Sequence, residues 1–473
     1  MTDVVVVGAG PNGLAAAVEI ARAGYSVTVF EGHDTIGGGT RTEELLMPGV
    51  LHDICSAVHP FGAASPFFQS LDLAAHGLEW LWAEYELAHP IDGGRAGVLQ
   101  RSLDVTAAGM GEDGPAWRKA FAPAVAHFSD LTREIFRPIV HVPRHPLTLM
   151  RFGISALQPA TLFARRFKRD ETRALVAGIA AHSFQPLTRP TTSAAAPTFI
   201  GAAHTTGWPV AAGGSQAIAH ALASLLTSLG GTIETGVAVK SLADLPAHRV
   251  ALLDVAPQAA IAIAGERMPP GVRRAYTRWK YGPAAFKVDF VVEGGVPWEN
   301  EACSRAGTVH CGGRLEDIAA GERSVYRGQM VSLPYVLVGQ QYLADPSRSS
   351  GNLHPIWAYA HVPHGYNGDA TEAILNQIAR FAPGLRDRIV AITTRSPSEY
   401  EAYNPNYVGG DIASGDNGPK QLVFRPRFAL DPYRIGTDVF LCSQATPPGP
   451  GVHGMCGYNA ARSAIKFLGG GAR

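Results

Sequence analysis

An unbroken apolar run, Val4-Val5-Val6-Val7, enters Gly8-Ala9-Gly10-Pro11-Asn12-Gly13, and a second run, Val27-Thr28-Val29-Phe30, ends on Glu31. Between them Leu14 to Ala23 is rich in alanine and stops at Gly24, as a helix would. Strand, glycine turn, helix, strand and acid in this order read as a dinucleotide clamp. The first glycine permits a tight turn, the second lets backbone N–H groups approach a pyrophosphate, and the third lets helix and strand pack closely. Glu31 then accepts hydrogen bonds from ribose hydroxyls, and the helix N-terminus points at the phosphates. Few other architectures tolerate this sequence of elements.

The rest of the composition excludes partners more than it names them. Lys and Arg number 40 against 40 Asp and Glu, so no global field draws the 473-residue chain to nucleic acid or anionic lipid. Contact with a membrane is at most peripheral, because no apolar stretch approaches the roughly twenty residues a spanning helix needs. Phe163-Ala164-Arg165-Arg166-Phe167-Lys168-Arg169 suits either a membrane surface or a solvated helix face. Five cysteines without paired spacing argue against a disulfide or zinc framework. The first strand starts so early that a secretory leader has no room, and a cytoplasmic protein is expected. Oligomeric state leaves no trace.

The chain is long enough for two or three bodies. From Phe61 to about Pro190 the pattern is helical with proline punctuation, as in Ala120 to Val140 and Leu147 to Arg166. Strand signals return at Thr232 to Leu242, Ala285 to Val292, Val331 to Val338 and Ile356 to Val362. Asp438 to Cys442, a glycine-rich loop and a helix from about Tyr458 to Leu468 close the chain. An α/β protein is expected, with a Rossmann-like domain from 1–75, 205–256 and 425–473. Interleaved with it, 76–204 and 257–424 form a substrate domain of mixed sheet and helices.

A second glycine cluster, Gly37-Gly38-Gly39-Thr40-Arg41, has no use in a simple nicotinamide domain and suits a longer cofactor that passes close to chain. Pro447 to Gly457 leads directly into a helix, aiming its N-terminus at an anion such as a reduced flavin. With Trp208 to Ser215 and Val239-Lys240-Ser241-Leu242, these motifs resemble the FAD-dependent oxidoreductases that include phytoene desaturases and flavin amine oxidases. Among them the chain is most similar to phytoene-dehydrogenase-like relatives of the pyridine nucleotide-disulfide oxidoreductase domain-containing proteins. The resemblance spans nearly the whole chain and implies a glutathione-reductase-type fold with FAD. It implies that Gly8, Gly10, Pro11, Asn12 and Gly13 hold the pyrophosphate, and that Glu31 holds the ribose. Val239 would meet the adenine through its backbone, and Val452, His453, Gly454 and Met455 the isoalloxazine edge. Gly38, Gly39 and Thr40 would complete the cofactor contacts. The family often reads Gly-Gly-Arg at the doublet, whereas here Arg41 is displaced; it is either a phosphate contact or a solvent-facing arginine.

For the chemistry, the resemblance implies that Lys287, on the strand Ala285 to Val292, holds a water at flavin N5; the alternative is a lysine facing solvent or paired with Asp289, which shares its face. His59 lies near the flavin's reactive face by the same resemblance. His59 or His453 could move a proton, though His453 suits a structural imidazole bonded to backbone. Trp357, Tyr359 and His361 share one strand face, either lining a substrate cavity or filling core. His204 and Trp208 are secondary candidates. No acid or cysteine accompanies His361 and His364 in sequence, so no metal site is expected. One glycine clamp rather than two favours electrons passing from substrate to oxygen or a quinone-like acceptor. The expected activity is hydride removal from a largely apolar, possibly conjugated substrate. An amine or ring oxidase, a double-bond saturase or isomerase, and a non-catalytic flavoprotein scaffold remain alternatives.

Overall fold

The computed structural model describes residues 2–470. Five parallel strands form the first sheet, in the order Val439–Leu441, Val250–Leu253, Val4–Val7, Val27–Phe30, Thr232–Glu234. Its central strand is an all-valine run because both faces are covered. Val4 and Val6 face helices Pro11–Arg22, Gln216–Ser228 and Met455–Gly470. Val5 and Val7 face Pro257–Ala264 and Pro270–Thr277. The sequence boundary at 256 is therefore misplaced: residues 257–279 pack on the dinucleotide sheet, not in the substrate domain. Gly13 has to be glycine, since a Cβ there would lie 2.0 Å from the Gly8 carbonyl oxygen.

Seven strands form the second sheet, in the order Ile389–Arg395, Ala284–Glu293, Leu353–Val362, Val336–Gly339, Ala306–Cys311, Tyr85–Ile91, Arg95–Leu99. All neighbours are antiparallel except Ala306–Cys311 and Tyr85–Ile91. One face, with Phe286, Val288 and Ala358, packs under helix Thr371–Ala379. The other carries Leu337, Trp357 and Tyr359 toward helices Asp170–Ala181 and Ala195–Ala203.

Several elements differ from their sequence expectations. The strand from Thr232 ends at Glu234; Gly236 turns the chain at φ 72°, and Ser241 with Asp244 forms a capping box on a short 3-10 turn. The strand expected from Val331 begins only at Val336, beyond Pro334. Ala120 to Val140 is two helices, Gly114–Ala126 and Phe128–Ile135, followed by irregular chain. The last helix opens at Met455, before Tyr458. All five cysteines are buried and free. Among the described residues no helix is long and apolar enough to cross a membrane.

Candidate functional site

Parallel strands place their carboxyl ends on one edge, and ligands bind there in open α/β sheets. A cavity of about 830 Å³ begins at that edge and runs to the aromatic face of the second sheet. At the first end its wall holds Gly8, Gly10, Pro11, Asn12, Glu31, Val239 and Asp254. Gly38, Gly39, Thr40, Arg41, Cys55, His59 and Val452 follow in the middle. At the far end stand Phe61, His182, Phe184, Phe199, Trp208, Leu337, Trp357 and Tyr359.

Helix Pro11–Arg22 opens on Gly10 with no side chain capping it and proline in its first turn, so its positive end is left to a ligand. Gly13 itself is off the wall; its N–H donates to Asp254 Oδ2 at 2.8 Å. Burial pushes the Asp254 carboxyl up to about 7, against the Gly13 N–H and reinforced by Glu31. Sequence reading missed Asp254, although it directly follows the strand beside Val4–Val7. Glu31 accepts from the N–H groups of Ala9 (2.7 Å) and His33 (2.9 Å). Arg41 is not a solvent-facing arginine. It is 4% exposed, bonds the Thr35 and Gly38 carbonyls and lies 3.6 Å from Glu31, so it stiffens the second glycine cluster.

His59 stands on the wall with Nε2 2.8 Å from Ser215 Oγ, and burial pushes its pKa down to about 4. It is a neutral imidazole near pH 7 and a weak proton acceptor. His453 accepts the Met455 N–H at 3.0 Å through Nδ1 and is structural; His453, Gly454 and Met455 lie behind Val452 and off the wall.

Lys287 is 1% exposed, donates to Asp289 Oδ2 and to the Asp53 carbonyl at 2.9 Å, and is absent from the cavity wall. Burial holds its pKa below the ordinary lysine value, opposed by Asp289. Of the sequence alternatives, the pairing with Asp289 is the one present. Its ammonium is 5.9 Å from the ring of Trp357, which does stand on the wall.

Tyr359 reaches the cavity, but His361 does not: its ring centroid lies 3.9 Å from that of Phe184 with the planes tilted by 31°, and Nδ1 lies 2.9 Å from both oxygens of Glu322. His361 thus has an acidic partner that its neighbours in sequence did not reveal. The described residues contain no group of three or more side chains able to hold a metal ion. Trp208 is on the wall, whereas His204 receives the Trp117 indole N–H at 3.2 Å. Sequence reading also missed His182, whose Nε2 is 3.2 Å from Nε2 of buried His310. Burial, with His361 nearby, holds His182 down to about 3.

The wall is built for a long ligand with polar groups. Asn12 Oδ1, His59 Nδ1 and Ser443 Oγ are buried on it and have no hydrogen-bond partner among the described residues. Leaving such groups unmet costs about 1–3 kcal/mol each.

Residues 6–72 match the NAD(P)-binding Rossmann-like domain family. A putative flavin-containing monoamine oxidase, AofH, of Mycobacterium tuberculosis is 62% identical over 40 residues, 8% of this chain and 9% of that protein. Pyridine nucleotide-disulfide oxidoreductase domain-containing protein 2 of Mus musculus is 37% identical over 103 residues, 21% of this chain and 17% of that one. The matches therefore span only a small part of these relatives. A triple mutant of putrescine oxidase aligns over 99% of both chains with a TM-score of 0.61 at 17% identity. The chain thus has the Rossmann-like α/β fold with a second mixed sheet seen in a flavin amine oxidase.

Proposed function

We propose that the protein is an FAD-dependent oxidoreductase that removes a hydride from a neutral, largely apolar substrate. The observation that carries the substrate class is the far end of the cavity, where aromatic and aliphatic side chains surround His182 and no carboxylate stands among the described residues. An ammonium there would lose its hydration without a counter-charge, at a cost of several kcal/mol. An apolar and conjugated molecule would lose nothing comparable and would stack on Trp357, Tyr359 and Phe199. This favours the phytoene-dehydrogenase-like reading over the amine oxidase reading, which the likeness to putrescine oxidase keeps as the second. A reducing compartment such as the cytoplasm suits five buried thiols.

When bound, FAD supplies the hydride acceptor. The glycine loop and the start of helix Pro11–Arg22 receive its pyrophosphate, Glu31 its ribose hydroxyls and the Val239 backbone its adenine. Trp208, Trp357 and Tyr359 exclude water from the reacting end. His182 stands on the wall with His310 behind it, and burial keeps its imidazole uncharged, so it offers the substrate a neutral hydrogen-bonding ring rather than a strong base. The acceptor of the electrons is oxygen or a quinone-like compound.

The test is the absorbance spectrum of the purified protein, then anaerobic addition of conjugated hydrocarbons and of primary amines in parallel. Flavin absorbance that bleaches with the hydrocarbons and recovers on admitting oxygen or a soluble quinone is expected. Protein that refuses flavin would overturn the cofactor, and bleaching by amines alone would overturn the substrate class.

A further inference from the structure

The seven bases between Arg137 and Arg169 (Arg137, Arg144, Arg151, Arg165, Arg166, Lys168, Arg169) meet no Asp or Glu in that stretch, although the whole chain balances 40 bases against 40 acids. The same stretch is also rich in exposed apolar side chains. On helix Pro146–Ala156 and its flanks, Leu147, Met150, Ile154 and Leu157 recur on one face and are 65, 56, 63 and 66% exposed; Val142 beside them is 86% exposed. Arg144 and Arg151 stand among them, and Arg165 follows; none of the three pairs with a carboxylate among the described residues. Buried Glu134 binds the N–H groups of Arg144 (2.8 Å) and His145 (2.9 Å) and Nε2 of His141 (2.6 Å), fixing the entry to the helix.

We propose that this face docks on an anionic membrane surface. A solvent-exposed apolar stripe interspersed with arginines matches the boundary between acyl chains and acidic headgroups, where side chains bury their methylenes and the guanidinium groups meet phosphate. The local excess of positive charge selects a negatively charged sheet over a second copy of this chain, whose matching face would carry the same charges. The Phe163 to Arg169 segment contributes only charge, because Phe163 and Phe167 point into the core. Directly behind the face, Ser193 Oγ bonds the Ser155 and Gln158 carbonyls and the Thr191 N–H bonds the Leu157 carbonyl; Thr191 and Thr192 line the cavity. The docking surface and the chamber wall are thus two sides of one layer. Docking is independent of the function proposed above; delivery of apolar substrate from the bilayer to the chamber rests on it.

The test is cosedimentation of the purified full-length protein with vesicles of phosphatidylcholine alone or with about 30% phosphatidylserine. Binding to the acidic vesicles only, falling with salt, is expected. Arg144→Ser/Arg151→Ser/Arg165→Ser should weaken it about a hundredfold, since each base near such a surface contributes about fivefold. Leu147→Ser/Ile154→Ser/Leu157→Ser should abolish it with the melting temperature unchanged, because these side chains are exposed. Wild-type protein that ignores acidic vesicles, or binds both vesicle types equally, would overturn the proposal. So would self-association in sedimentation velocity that the leucine and isoleucine changes remove while vesicles remain unbound. Vesicle binding is read without flavin reduction, so a failed cofactor or substrate assignment leaves it standing.

Discussion

Asp254→Asn separates the charge of the buried acid from its hydrogen bond. The folded protein holds the Asp254 carboxyl to about 7, whereas the free side chain ionises at 3.8. Between those values the folded state keeps a proton that the unfolded state has released, so stability is greatest below 3.8, falls as pH rises, and levels off above about 7. The full difference corresponds to about 4 kcal/mol. Between about pH 5.5 and about pH 8.5 some 2 kcal/mol of it should be lost. Asparagine keeps an oxygen for the Gly13 N–H and cannot ionise. Its advantage over the wild type should therefore grow by about 2 kcal/mol across that range, or about 2 °C in melting temperature for a chain of this length. The FAD pyrophosphate would lie beside the same carboxyl, so wild-type affinity should also fall above about pH 7, by up to about tenfold per pH unit, and Asp254→Asn should flatten the slope. Paired melting curves and flavin titrations measure both. A stability gap that stays constant with pH would refute the reasoning, and equal affinity slopes in the two proteins would remove Asp254 from the pyrophosphate site.

Gly10→Val should abolish dinucleotide retention while leaving the protein folded. A Cβ at Gly10 meets Asp254 Oδ2 at 3.1 Å and otherwise only Gly38 Cα at 4.0 Å, so the main obstruction is to the ligand; full flavin absorbance in the variant would contradict the clamp. Lys287→Met leaves Asp289 buried without its partner and should cost about 3–5 kcal/mol, with Lys287→Met/Asp289→Leu recovering much of it. Thermal melts of the two variants decide this, and a slowed flavin reoxidation at unchanged stability would restore Lys287 to the chemistry.

The dinucleotide sheet was legible because its signals are local. A valine run, three spaced glycines and a terminal acid occur within 31 residues, and each has a role that neighbouring sequence alone explains. The C-terminal helix and the long strands Ala284–Glu293 and Leu353–Val362 were legible from pattern for the same reason. Partnerships across long separations were not. Lys287 and Asp289 share a face, which alternation shows, but their burial against the Asp53 carbonyl depends on a residue 234 positions away. Glu322 meets His361 across 39 residues, and His182 meets His310 across 128. No local period marks such pairs. Asp254 is the exception, for its position directly after a parallel strand could have been read from the rule that ligands gather at strand carboxyl ends.

What joins the two sheets is a polar node beside the cavity. Asp53 is 1% exposed and its carboxylate receives Arg348 Nη1, the Thr42 hydroxyl at 2.7 Å and the Ser215 N–H at 2.8 Å. Burial pushes this carboxyl up, yet Arg348 and these donors together hold it below its ordinary value. Its carbonyl receives Lys287 from the second sheet, while Ser215, which begins a helix of the first, holds His59. One residue therefore ties the strand that carries Lys287, the loop that carries His59 and the helix packed on the dinucleotide sheet. Each of these contacts is buried, so opening the two bodies would expose several charged groups at once. The placement of Lys287 follows from this: its charge is committed to the seam between the sheets, and the cavity wall beside it carries the ring of Trp357.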